Sequence, residues 1–147
     1  MSGDDLKDLV AKIIDILGLA TDTIEVSVGR RTIVAITSVD TALLGPSGEH
    51  LRALNTIVRR LVEQKYGEEA SNFLIDVNGH HEAQMEVVRT TARMFAQRAR
   101  LFKREVEMDP MSAYERLVVH ELFAEDPQIE TRSEGEGKFR HIVLRLR

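Results

Sequence analysis

The spacing of apolar residues in this chain switches repeatedly between a helical period and strict alternation, and that switching confines the fold to a mixed α+β class. Leu6, Leu9, Val10, Ile13, Ile14 and Leu17 recur at helical spacing until Gly18 interrupts them. Thr23-Ile24-Glu25-Val26-Ser27-Val28 then alternates and is rich in β-branched residues. Gly29-Arg30-Arg31 turns the chain into a second apolar run, Thr32 to Thr37, and the two runs predict a β-hairpin. A short turn at Thr41-Ala42-Leu43-Leu44 leads into Gly45-Pro46-Ser47-Gly48. Leu51, Leu54, Val58, Leu61 and Val62 mark a helix that ends at Gly67, and Asn72 to Val77 forms a third strand closed by Asn78-Gly79. The first half reads αββααβ.

A long helix is predicted from His81 to Lys103, with Met85, Val88, Ala92, Phe95, Ala99 and Phe102 as its core stripe. Val106 and Met108 suggest a short strand. Ser112-Ala113-Tyr114-Glu115 is a Ser-x-x-Glu capping box that opens a helix running to Phe123, and Asp126-Pro127 stops it. Ile129 to Ser133 and His141 to Arg145 read as two strands around Gly135-Glu136-Gly137. The second half reads αβαββ, a small sheet packed on two helices. Asn78-Gly79 is the best boundary, which gives domains 1–79 and 80–147.

With 147 residues the chain suffices for one average domain or two small ones. It has no cysteine, which excludes disulfides and thiolate chemistry. No apolar run approaches the roughly 20 residues of a membrane span. Asp4, Asp5, Asp8 and Asp15 are foreign to a secretory signal, so the expected location is the cytoplasm. The net charge of −4 argues against nucleic acid, but the charges are unevenly placed. Met1 to Glu25 holds six acids and two bases, whereas His81 to Arg104 holds six bases and two acids. The local field governs attraction to phosphate more than the sum does.

Three groups of residues carry possible chemistry. In Gly45-Pro46-Ser47-Gly48, two glycines admit a ligand close to the backbone, and the next helix presents free N–H groups to a phosphate. His50, Arg52, Arg59 and Arg60 on that helix add positive charge. Arg116 and His120, four apart, share one exposed helix face opposite an apolar face of Leu117, Val118, Val119 and Leu122. Arg offers a planar fork for phosphate, and His donates a hydrogen bond or stacks on a base. Arg89, Arg93, Arg100 and Arg104 fall within roughly 60° of one another on the long helix. Glu86 is the only acid from Met85 to that last arginine, so pairing within the helix is not expected to neutralise this stripe. His80-His81 has no ligand-spaced partner, and neither a metal nor a cofactor is expected. No nucleophile elbow or phosphate-binding Gly-Lys-Ser/Thr loop occurs, so an enzyme is not expected. Low aromatic content argues against stacking platforms of the kind found on RNA-binding sheets.

The region Thr23 to Val77 resembles a bacterial, type II KH domain in element order and in its Gly-x-x-Gly loop. Such loops usually carry Lys or Arg between the glycines, where this chain has Pro46 and Ser47. Asp109 to Arg116, then His120, then Glu130 to Gly137, then Arg140, closely resemble the R-three-H domain of the bacterial Jag-like family, which pairs the two domains in this order. The resemblance covers residues 23 to 147. It implies single-stranded RNA or DNA as partner, with a small KH-only protein as a second one, and a post-transcriptional regulator or RNA chaperone as function. It places contacts at Gly45, Pro46, Ser47, Gly48, Arg52, Arg89, Arg93, Arg116, His120 and Arg140. The rival expectation, favoured by the net charge and by Pro46, is a protein-interaction adaptor that kept the fold and lost most RNA binding.

Overall fold

Helix α1, Gly3–Ile16, starts three residues before its first apolar position because Ser2 caps it. Ser2 Oγ accepts from the Asp5 amide at 3.1 Å, and the Asp5 carboxylate accepts from the Ser2 amide at 2.8 Å. This is a capping box with Asp in place of Glu. At the other end Gly18 takes φ +71°, and the amides of Gly18 and Leu19 close back on Asp15 and Ile14. The computed structural model describes residues 1–147 and divides into two compact units, Met1–His81 and Glu82–Arg147.

In the first unit, α1 is followed by β1 (Thr23–Ser27) and β2 (Thr32–Thr37), then α2 (Glu49–Tyr66) and β3 (Phe73–Val77). The strand order is β1-β2-β3, with β1 antiparallel and β3 parallel to β2. A parallel pair needs a crossover, and α2 supplies it. Leu6, Val10 and Ile14 of α1 join Leu51, Leu54, Val58 and Val62 of α2 over Val34, Ile36, Phe73, Ile75 and Val77 of the sheet. The helix expected directly after β2 is instead two 3₁₀ turns, Thr41–Leu43 and Pro46–Gly48. Positive φ at Gly45, Ser47 and Gly48 bars a continuous helix there.

The second unit takes most of α3 (His80–Phe102), then β4 (Val106–Glu107), α4 (Ala113–Phe123), β5 (Ile129–Glu134) and β6 (His141–Leu146). Its sheet order is β4-β6-β5, antiparallel throughout. Ala92, Ala96 and Ala99 of α3 pack with Met108, Val119, Phe123, Ile129, Ile142 and Leu144. The stripe on α3 is thus centred on small residues that allow close approach, with Val88 and Phe95 only partly buried beside them. Phe102, expected in the core, is 59% exposed. It is the last residue of the helix, and the Arg104 guanidinium lies 5.6 Å from its ring centre. No helix of the chain is long and apolar enough to cross a membrane.

Candidate nucleic-acid interface

In the first unit, the Gly45–Gly48 loop is held in a shape that only its glycines allow. Gly45 has φ +70°, and a Cβ there would run into the His50 ring. Gly48 has φ +75°, and a Cβ would stand 2.8 Å from His80 Nε2. Pro46 opens the second 3₁₀ turn, a first-turn position whose N–H has no intrahelical partner in any case. The proline thus leaves the turn's own hydrogen bonds intact, while the loop has one N–H fewer to offer an anion. Helix α2 begins after Gly48 with no side-chain cap, so its first-turn N–H groups can meet an anion, although Glu49 stands among them. A groove of about 670 Å³ runs beside the loop, with Ser38, Asp40, Gly45, Pro46 and His50 in its wall.

The basic residues expected to assist the loop are partly committed to building it. His50 Nδ1 donates to the Ala42 carbonyl at 2.7 Å, and Arg52 Nη1 donates to the Ser47 carbonyl at 2.7 Å. Arg60 reaches Glu63 at 3.5 Å, and Arg59 reaches the Phe73 carbonyl at 3.5 Å. Arg52 stays at the loop with its charge intact, because its partner is a neutral carbonyl.

In the second unit, Ser112 caps α4 as the Ser-x-x-Glu pattern predicts. The Ser112 amide donates to Glu115 at 2.7 Å, and the Glu115 amide donates to Ser112 Oγ at 3.2 Å. That cap sets the phase of α4 and so the direction of Arg116 and His120. Both side chains are half-buried, where a fully exposed face was expected. Arg116 Nη1 donates to the Met111 carbonyl at 2.7 Å. The Met111 amide donates in turn to the Arg140 carbonyl at 3.1 Å, and Arg140 Nη1 to the Gly135 carbonyl at 3.0 Å. Met111 therefore ties the Arg116 and Arg140 segments together. Main-chain carbonyls carry no formal charge, so these bonds orient both guanidiniums without neutralising them.

His120 Nδ1 lies 2.6 Å from Thr131 Oγ1 on β5. Burial lowers the pKa of His120 below its ordinary 6.5, and the Arg116 charge lowers it further. At neutral pH the imidazole is uncharged, a hydrogen-bonding group or a flat surface and not a cation.

The arginine stripe on α3 departs from expectation. Arg89 Nη1 lies 2.8 Å from Glu82 and 3.2 Å from Glu86, and Arg93 Nη1 lies 3.3 Å from Glu86. The Glu86 carboxyl is held below its usual pKa by these two arginines. Arg100 Nη2 bonds Asp126 at 2.6 Å. Acids one and two turns upstream, and one from beyond α4, neutralise much of the stripe. Arg89 and Arg93 are thereby weaker candidates for phosphate than Arg116 and Arg140.

Across the sheet, Arg145 bonds Glu130 at 2.8 Å and Arg132 bonds Glu134 at 2.5 Å. Glu107, Glu134 and His141 bring one ligand-type atom each within 4.8 Å. His141 Nε2 is buried without a hydrogen-bond partner, 3.7 Å from Glu107, and Arg132 pairs with Glu134. The residues that sequence reasoning missed are Met111 and Thr131, which hold Arg116 and His120, and Phe139, 65% exposed between Lys138 and Arg140. For Phe139 the signal was present: an aromatic flanked by two bases inside a turn.

Residues 83–146 match the family model of the R-three-H domain. The chain is 32% identical over 105 residues to the RNA-binding protein KhpB of Clostridium symbiosum, covering 71% of this chain and 47% of that protein. It is 29% identical over 104 residues to RNA-binding protein KhpB of Bacillus subtilis, covering 69% of this chain and 50% of that one. With the protein of the same name from Lactiplantibacillus plantarum it shares 26% over 144 residues, 97% of this chain and 44% of the other. The chain thus carries an R-three-H domain and is homologous to these proteins, while it spans about half the length of the relatives it matches.

Proposed function

We propose that this chain, with its R-three-H domain, binds single-stranded RNA and acts in the cytoplasm as a post-transcriptional regulator or RNA chaperone. The observation that carries the reading is the pair of guanidiniums of Arg116 and Arg140, each held on a neutral carbonyl, of Met111 and of Gly135, that leaves its charge in place. It lies inside the residues that match the R-three-H domain, and the relatives named above are RNA-binding by name. His120, neutral and anchored to Thr131, suits contact with a base or a sugar hydroxyl better than contact with phosphate.

We further assign residues 1–79 to a type II KH domain and 80–147 to the R-three-H domain. Supporting the first assignment are the parallel β2–β3 pair joined through α2 and the Gly-x-x-Gly loop at the start of that helix. In this assignment the loop of Gly45, Pro46, Ser47 and Gly48, with Arg52, makes a second and weaker contact with the RNA backbone. A small KH-only protein is the proposed protein partner.

Titration of a labelled, mixed-sequence single-stranded RNA at several salt concentrations tests the reading. Binding in the micromolar range is expected. About four phosphate contacts, at about 0.7 each for single strands, give a log–log salt slope near −3. No binding at low salt would overturn it in favour of the adaptor, the role that the net charge and the neutralised α3 stripe suit better.

A further inference from the structure

Phe139 ends the 3₁₀ turn Gly137–Phe139 that leads into β6, and its ring is 65% exposed. A single exposed apolar side chain is ordinary on a protein surface. Two features distinguish this one.

The first is rigidity. The Phe139 amide donates to the Glu136 carbonyl at 3.1 Å, and the Arg140 amide donates to the Gly137 carbonyl at 3.2 Å. The Phe139 carbonyl accepts from His141 Nδ1 at 3.0 Å, and Arg140 Nη1 closes the turn on Gly135 at 3.0 Å. The backbone is therefore fixed on both sides of the ring, and the ring projects from a braced turn.

The second feature is charge. Lys138 Nζ lies 5.2 Å from the ring centre, and Arg140 follows directly in the chain. Arg140 is linked through Met111 to Arg116. A flat apolar face thus has one cation against it and a second next to it in the chain, with Glu136 at the start of the same turn. A nucleotide has the matching composition, an anionic phosphate joined through a sugar to a flat aromatic base. Two other exposed aromatics with a cation over the ring differ in their surroundings. Tyr66 shares a groove with Asp5 and Asp8 as well as Lys12 and Lys65, and Phe102 shares one with Glu105 and Glu107 as well as Arg98 and Arg104. In both, acids offset the bases beside the ring and weaken the pull on a phosphate chain.

We propose that Phe139 is a stacking platform for one unpaired RNA base, whose neighbouring phosphates are held by Arg140 and Arg116. The proposal rests on the RNA-binding reading above and sharpens it. A duplex buries its base faces against their neighbours, so an aromatic platform selects a single strand. Lys138 is exposed and flexible, and it moves aside or stays on the opposite face of the ring when a base stacks.

The test uses the full chain and two probes, a mixed-sequence single-stranded RNA and inorganic polyphosphate, which presents phosphates without bases. Phe139→Leu keeps an apolar side chain and removes the aromatic face. It is expected to weaken RNA binding by about 5- to 150-fold, the equivalent of about 1–3 kcal/mol per stacked base, and to leave polyphosphate binding unchanged. Phe139→Trp is expected to retain RNA affinity. Since the chain has no other tryptophan, its fluorescence reports on this ring alone and is expected to be quenched by RNA and not by polyphosphate. Wild-type affinity in Phe139→Leu, or a tryptophan unaffected by bound RNA, overturns the platform and leaves the RNA-binding reading standing. Equal losses for both probes in Phe139→Leu also overturn it, because they mark a structural role for the turn. Absence of RNA binding by the wild-type chain overturns both.

Discussion

Replacing Arg116 with alanine separates two roles that the structure assigns to one side chain. Its guanidinium donates to the Met111 carbonyl at 2.7 Å, so the variant removes a hydrogen bond that braces the link to Arg140. Hydrogen bonds to charged groups contribute about 1.5–3 kcal/mol when sheltered. Arg116 is half-buried, and water can reach the vacated carbonyl, so a loss of about 1 kcal/mol is the better expectation. In a unit of this size that lowers the melting temperature by about 4–8 °C. The unit still folds, because the core of Ala92, Ala96, Val119, Ile142 and Leu144 is untouched. The functional role is read separately, as RNA affinity per folded molecule across a salt series. Loss of one phosphate contact makes the log–log slope shallower by about 0.7. Arg116→Lys retains a charge and is expected to keep most of the slope while losing affinity, since a point charge replaces a planar fork. A lower melting temperature in Arg116→Ala with unchanged affinity and slope would show that Arg116 serves only to pin Met111. The converse, a changed slope with an unchanged melting temperature, would refute the structural half of the argument.

Three further outcomes are expected. His120 has a folded-state pKa below its unfolded value of 6.5, so its contribution to stability is fully present above pH 6.5 and is lost as pH falls through the lowered value; urea melts of His120→Gln across that range should show a flatter dependence than the wild type, and an identical dependence would contradict the assigned burial. Asp126 accepts from the amides of Gln128 and Ile129 at 2.8 and 3.0 Å and pairs with Arg100, and the Gln128 amide above all depresses its pKa below 3.8. That stabilisation is present above pH 3.8 and disappears as pH falls through the depressed value, so Asp126→Asn should lower thermal stability at pH 7 and reduce the difference from wild type in acid. Pro46→Lys combined with Ser47→Arg should tighten RNA binding and steepen the salt slope by up to about 1.4, two contacts at about 0.7 each; an unchanged slope would mean that the loop touches no phosphate.

Much of the local structure was legible in the chain alone. Alternation from Thr23 and the apolar run from Thr32 mark β1 and β2, and the Ser112–Glu115 box starts α4. Such signals are local: each lies within a few residues of the element it predicts, and backbone periodicity expresses it directly. Periodicity marks α1 only from Leu6, whereas the Ser2–Asp5 capping box starts it at Gly3. The short turn expected at Thr41 to Leu44 is a 3₁₀ turn, and positive φ at Gly45, Ser47 and Gly48 keeps it from growing into the full helix that the order αββααβ implies.

The candidate site was legible as a set of residue types and not as an arrangement. Arg116 and His120 could be placed on one helix from their spacing, but Met111 and Thr131, which orient them, act through space. The same holds for charge. Counting acids between Met85 and Arg104 left the arginine stripe unpaired, whereas long side chains let Glu82 and Glu86 reach Arg89 and Arg93, and chain folding brings Asp126 to Arg100. By itself the sequence determined where helices and strands form, which faces are apolar and which residues are cations. The tertiary structure decided which cations are left without an acid partner, because side-chain reach along α3 brings Glu82 and Glu86 to Arg89 and Arg93, and chain folding alone brings Asp126 to Arg100 and neutral carbonyls to Arg116 and Arg140.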